Sequence, residues 1–156
     1  MRLARVLKHA FIPEWIARRA VPARSLRRIE EAIKAATRDG AAELHFVVEA
    51  GLPLHILFRS RSSRRRAEDL FSQLRVWDTE HNNGVLIYVQ LVSRHIDIVA
   101  DRGVARKVEQ AEWNAVCREM EQAFRRGAFE EGALAAIGRI SALLATHYPK
   151  EQPHAL

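Results

Sequence analysis

Gly84-Val85-Leu86-Ile87-Tyr88-Val89-Gln90-Leu91, followed after Val92 by Ser93-Arg94 and then His95-Ile96-Asp97-Ile98-Val99-Ala100, is the stretch that decides the fold. Its first run is almost continuously apolar, which suits a central strand covered on both faces. Ser93-Arg94 makes a tight connection. The second run, in which Ile96, Ile98 and Ala100 alternate with His95 and Asp97, therefore returns antiparallel beside the first. Upstream, Leu44, Phe46 and Val48 alternate with Glu43, His45 and Glu49, the mark of a strand with one drier face. Between these strands Ala67, Leu70, Phe71, Leu74 and Trp77 recur at helical spacing behind Ser62 or Ser63, either of which can cap a helix. A strand–helix–strand unit of this kind closes right-handed with its two strands parallel.

Working outward, Leu26, Ile29, Ala32, Ile33 and Ala36 form a helical stripe between Pro22 and Gly40. Trp113, Val116, Cys117, Met120 and Phe124 form another, ended by Gly127, and Phe129, Ala133, Ile137, Ile140, Leu144 and His147 a third, stopped by Pro149. Leu54 to Phe58 is either a short edge strand or a packed loop. The order predicts an α/β fold: a three-layer α/β/α sandwich with a small mixed central sheet and helices on both faces. Residues 1–21 read as a basic amphipathic arm, 22–149 as one domain and 150–156 as a loose tail.

Composition narrows the function classes. With 156 residues and a single cysteine, Cys117, the chain has no intrachain disulfide and no multi-thiolate metal site. Its longest apolar run is far short of the roughly 20 residues that span a bilayer. The net charge of +6 is concentrated: residues 1–28 carry eight basic residues against the single acid Glu14, and Arg59, Arg61, Arg64, Arg65 and Arg66 form a second cluster. No aromatic residue interleaves that cluster, so it makes no stacking platform for single strands, and nucleic acid is disfavoured as a partner. Met1 to Ala20 mixes Arg2, Arg5, Lys8, Arg18 and Arg19 into short apolar pieces, which is unlike a secretory signal. The expectation is a cytoplasmic protein. Its arm, with Phe11, Ile12 and Trp15, either folds back on the domain or lies on an anionic surface at the inner membrane.

The predicted hairpin has a geometric consequence. It returns Ala100-Asp101-Arg102-Gly103 to the edge where the central strand begins, beside the loop Asp78-Thr79-Glu80-His81-Asn82-Asn83-Gly84. Asp78, Glu80 and Asp101, with the amide oxygens of Asn82 and Asn83, suit a hard cation such as calcium or magnesium. Turn chemistry competes with that reading, since Asn and Asp cap helices and tolerate left-handed backbone, and Asp101 can cap a short turn over 104–108. His81 is the one candidate general base in the loop. No phosphate-binding glycine loop, nucleophile elbow or zinc-spaced histidine pair is present. Cys117 lies on an apolar stripe, where a buried structural thiol is expected.

RAEDLFSQLRVWDTEHNNGVLIYVQL (66–91), HIDIVADRGV (95–104), WNAVCREMEQAF (113–124), RRGAFEEGALAAIGRI (125–140) and HYP (147–149) together resemble the TPM-domain family. Asn82, Asn83, Gly84, Asp101 and Gly103 match its motif positions. The resemblance implies an α/β/α sandwich, a divalent-cation site at the acidic loops, and a phosphatase activity claimed for a plant branch. The Arg-rich lead-in here has neither the signal peptide nor the acid that typical secreted members place before the first helix. The expected function is a non-catalytic binding or accessory module for an unknown protein partner, with Asp78, Glu80 and Asp101 as candidate metal ligands and Asn82, Asn83, Gly84 and Gly103 supporting the loop. The alternative, carried by the resemblance alone, is a metal-assisted phosphomonoesterase in which His81 is the base and Arg102 steadies the phosphate.

Overall fold

The computed structural model describes residues 7–9, 21–38, 42–49, 62–91 and 94–149. In chain order they form β1 (Leu7–His9), α1 (Ala23–Thr37), β2 (Glu43–Glu49), α2 (Ser63–Gln73), β3 (Gly84–Gln90), β4 (His95–Ala100), α3 (Arg102–Ala105), α4 (Gln110–Arg125) and α5 (Phe129–His147). The sheet has the order β1-β2-β3-β4. The pairs β1–β2 and β2–β3 are parallel, and β3–β4 is antiparallel with Val85 opposite Ala100 and Gln90 opposite His95.

Every residue of β3 is buried, as its two-sided apolarity requires. On one face Leu44, Phe46, Val48, Val85, Ile87, Val89, Ile96 and Ile98 meet Ile29 and Ile33 of α1, Trp113, Val116 and Met120 of α4, and Ala133, Ile137, Ile140 and Leu144 of α5. On the other, Val47, Leu86, Tyr88 and Val99 meet Ala67, Leu70 and Val76. The result is three layers, with α1, α4 and α5 over one face and α2 over the other. Full burial of each large aliphatic side chain contributes about 1.5–3 kcal/mol, so the three-helix side holds most of the apolar stabilisation. Gly127, at φ +76, closes α4 and turns the chain into α5.

Two local readings need correction. β2 has no wetter face: His45 and Glu49 are buried along with Leu44, Phe46 and Val48. The cause is α2, whose Arg66 is itself buried and donates to Glu49 through Nε to Oε1 at 2.8 Å and Nη2 to Oε2 at 3.0 Å. Nor does the α2 stripe run on to Trp77. The helix stops at Gln73, Arg75 takes a left-handed φ of +55, and Val76 fills the buried position while Trp77 is 47% exposed. Ser62 rather than Ser63 caps α2, accepting from the Arg65 amide at 3.2 Å, and Ser63 Oγ donates to Asp97 Oδ2 at 2.8 Å.

β1 falls within the stretch read as an arm. Phe11, Ile12 and Trp15, the segment Leu54 to Phe58, Arg59, Arg61 and the 150–156 tail lie outside the described residues. No helix among the described residues is long and apolar enough to cross a membrane.

Candidate functional site

The β3–β4 register brings the two predicted loops together. The Asp101 amide donates to Gly84 O at 2.8 Å, the Gly103 amide to Asn82 O at 2.9 Å, and Arg102 Nη2 to Asn82 Oδ1 at 3.3 Å. The Asn83 amide donates to Thr79 Oγ1 at 3.0 Å, which folds the loop back on itself, and Asn82 takes φ +51. Both glycines permit close backbone approach. A Cβ on Gly103 would lie 2.5 Å from Asn82 O and 2.6 Å from His81 O, and one on Gly84 would lie 2.0 Å from Val76 O.

The side chains that meet are those of Asn82 and Arg102. Asp101 Oδ1 accepts from the Arg102 amide at 2.7 Å and so caps α3, while its Oδ2 is buried with no hydrogen-bond partner among the described residues. The Tyr148 hydroxyl is likewise buried and unpartnered; burial first, and the charge of Asp101 second, push this phenol above its ordinary range. Lys107 Nζ sits 4.2 Å from the Tyr148 ring centroid. Asp78 pairs with Arg75 at 3.0 Å. Glu80 and His81 are exposed.

A calcium ion takes about 6–8 oxygen ligands, with carboxylates converging on one point. Here Asp78 turns to Arg75, Glu80 faces solvent, and Asp101 keeps one carboxylate oxygen buried, its charge felt by Tyr148. Among the described residues no group of three or more His, Cys, Asp or Glu side chains stands close enough to hold a metal ion.

The other sequence candidates have structural places. Cys117 is half-buried on α4, and burial pushes its thiol up to about 11, which leaves little thiolate at neutral pH. His45 is buried, with Nδ1 unpartnered among the described residues and Nε2 at 3.5 Å from Glu43. Trp113 is core. Periodicity misses one feature of the edge, the exposed Trp77. The Arg75 guanidinium lies 5.6 Å from its ring centroid, and Trp77 Nε1 donates to Ser72 O at 3.4 Å. The helical spacing of apolar residues continues through position 77, so no sequence signal separates Trp77 from the stripe.

The TPM domain family profile matches residues 21–143. The chain belongs to the TPM domain family. Among solved structures, this TPM domain is similar to the BA42 protein of the psychrophilic bacterium Bizionia argentinensis, with TM-score 0.72 and 25% identity over 83% of this chain and 85% of that one. It also shares its fold with the N-terminal domain of a P. gingivalis protein, with TM-score 0.68 and 16% identity over 87% of this chain and 83% of that one. The N-terminal domain of a Corynebacterium glutamicum protein follows, with TM-score 0.62 and 11% identity over 96% of this chain and 84% of that one. No curated protein matches the chain.

Proposed function

We propose that this TPM domain is a non-catalytic binding module that offers the edge formed by Trp77, the 78–84 loop and Asp101-Arg102-Gly103 to a protein partner. The observation that carries it is Trp77, the exposed large apolar side chain among the described residues, held in place by Arg75 and Ser72. Tryptophan and arginine dominate binding hot spots, and a side chain already fixed in its bound position loses less entropy on association. The test has two arms. A photo-crosslinker at position 77 is expected to give one discrete protein adduct that the same group at exposed position 131 does not give. Turnover of a phosphomonoester by the full chain, dependent on calcium, magnesium or manganese and lost in Asp101→Asn, would overturn the reading in favour of the phosphatase alternative.

A divalent cation at Asp101 is compatible with the module and is favoured by the buried Oδ2, unpartnered among the described residues, an arrangement that costs about 1–3 kcal/mol for a neutral group and more for a charged one. Calcium or magnesium would fix the loop junction rather than take part in chemistry. Titration of the labelled chain should shift the amides of Asn82, Asn83 and Gly103 first, and Asp101→Asn should weaken the response. Amides that stay put at saturating cation would leave Asp101 as a helix cap alone.

A further inference from the structure

Arg94, His95, Glu121, Phe124 and Arg125 line a cavity of about 350 Å³. It lies at the opposite end of the β3–β4 hairpin from Asp101, since His95 opens β4 and Ala100 ends it, roughly 17 Å apart along the strand. This location makes the cavity independent of the loop edge at Asp101. Its volume falls within the roughly 300–1,000 Å³ of small-molecule sites and exceeds what a bare inorganic ion fills.

Three observations define what would fit. The first is charge. Arg94 and Arg125 both line the cavity and, like most of the described arginines, have no ion pair among the described residues; the one acid in the lining is Glu121. Two unengaged guanidinium forks suit a carboxylate or phosphate, which each can grip through parallel N–H bonds. The second is backbone. Arg94 takes φ +55 in the connection between β3 and β4, a conformation that glycine or asparagine adopts at less cost. A residue poorly suited to the turn thus places its charge at the cavity. The third is the wall. Phe124 stacks on Phe129 with ring centroids 4.7 Å apart and planes at 24°, so a fixed, half-buried aromatic borders the space.

We propose that this cavity binds a small aromatic oxyanion, an aryl phosphate or aryl carboxylate. Its charged group would lie between Arg94 and Arg125 and its ring against Phe124, and Glu121 would accept from a hydroxyl or amino substituent on the ring. The full ¹⁵N-labelled chain titrated separately with phenyl phosphate, benzoate and inorganic phosphate tests this and distinguishes the two oxyanion sources. The expected result is saturable shifts centred on the amides of His95, Phe124 and Arg125 with one or both aryl ligands, and binding of inorganic phosphate weaker by about tenfold or more. Arg94→Gly suits the left-handed turn, so it is expected to keep the melting temperature while weakening aryl-ligand binding about tenfold, and Arg125→Gln should act alike. Arg126→Gln, which alters a neighbouring arginine outside the cavity lining, should change nothing. Shifts that are scattered and never saturate, inorganic phosphate binding as tightly as the aryl ligands, or equal losses in Arg126→Gln would each overturn the proposal.

Discussion

At Gly84 and Gly103 a single hydrogen in place of a methyl group lets two backbone segments touch. Alanine at either position drives a Cβ into a carbonyl oxygen that has no rotamer to retreat into. Gly84→Ala and Gly103→Ala are each expected to lose about 1–3 kcal/mol in urea denaturation, from overpacking. Gly138, with open space around it in α5, should behave oppositely, and Gly138→Ala should gain about 0.5–1 kcal/mol. An unchanged Gly103→Ala would mean that the two loops do not meet as described. His45 makes a pH prediction at the same scale. Burial outweighs the opposing pull of Glu43 and lowers its pKa from 6.5. As pH falls through that value the unfolded chain takes up the proton before the folded one, so stability rises with pH and the contribution is complete above the unfolded pKa. The urea midpoint should therefore drop between about pH 7.5 and about pH 5.5 by more in the natural chain than in His45→Gln. Equal drops would assign the acid sensitivity elsewhere.

At the scale of elements, α2 is the piece whose packing departs most from a simple amphipathic helix. Its first turns bring charge onto the sheet: Arg66 grips Glu49 at the end of β2, Ser63 reaches Asp97, and Arg64 Nη1 donates to Ile98 O at 2.6 Å. The last contact engages a carbonyl of β4 at the sheet's edge, where open backbone groups invite pairing with other chains. The Glu49–Arg66 pair has Tyr88 and Gln90 as neighbours, with Gln90 Nε2 donating to Tyr88 Oη at 3.3 Å, and burial pushes the Tyr88 phenol well above its ordinary value. A buried pair is costly to break because the survivor keeps its charge without a partner. Glu49→Ala is expected to cost about 3–5 kcal/mol, whereas Glu49→Leu combined with Arg66→Met should recover most of that loss. A double variant as unstable as the single one would show that the pair contributes more than the desolvation it offsets.

For the whole molecule, the open question of the amino-terminal arm becomes a measurement. β1 pairs with β2 through Leu7–Val47, Lys8–Val48 and His9–Glu49. Deleting residues 1–20 removes that strand but keeps Val21, which belongs to the larger core. The shortened chain should melt at a lower temperature and self-associate with rising concentration, because the β2 edge then lacks partners. On anionic vesicles, full and shortened chains are expected to co-sediment equally and weakly, as an arm folded back on the domain requires. Strong binding by the full chain alone would favour the lipid reading instead.

The features legible from sequence are those that depend on near neighbours. Continuous apolarity from Val85 to Val89 implied cover on both faces, and the tight Ser93-Arg94 connection implied the antiparallel return that sets Asp101 beside Gly84. Capping by Asp101 and by a serine at 62 or 63 follows from local chemistry as well, and the fold selects Ser62. Tertiary structure alone decided which polar residues go inside. Glu49 alternates like a solvent-facing strand residue until Arg66, 17 residues away, meets it under α2. Trp77 keeps helical spacing, yet it turns outward because Arg75 adopts a left-handed backbone that no glycine announces. The cavity joins Arg94 on the hairpin to Arg125 at the end of α4, a juxtaposition that no local pattern encodes. Local periodicity reports which face of an element is apolar; what covers that face depends on packing between residues far apart in the chain.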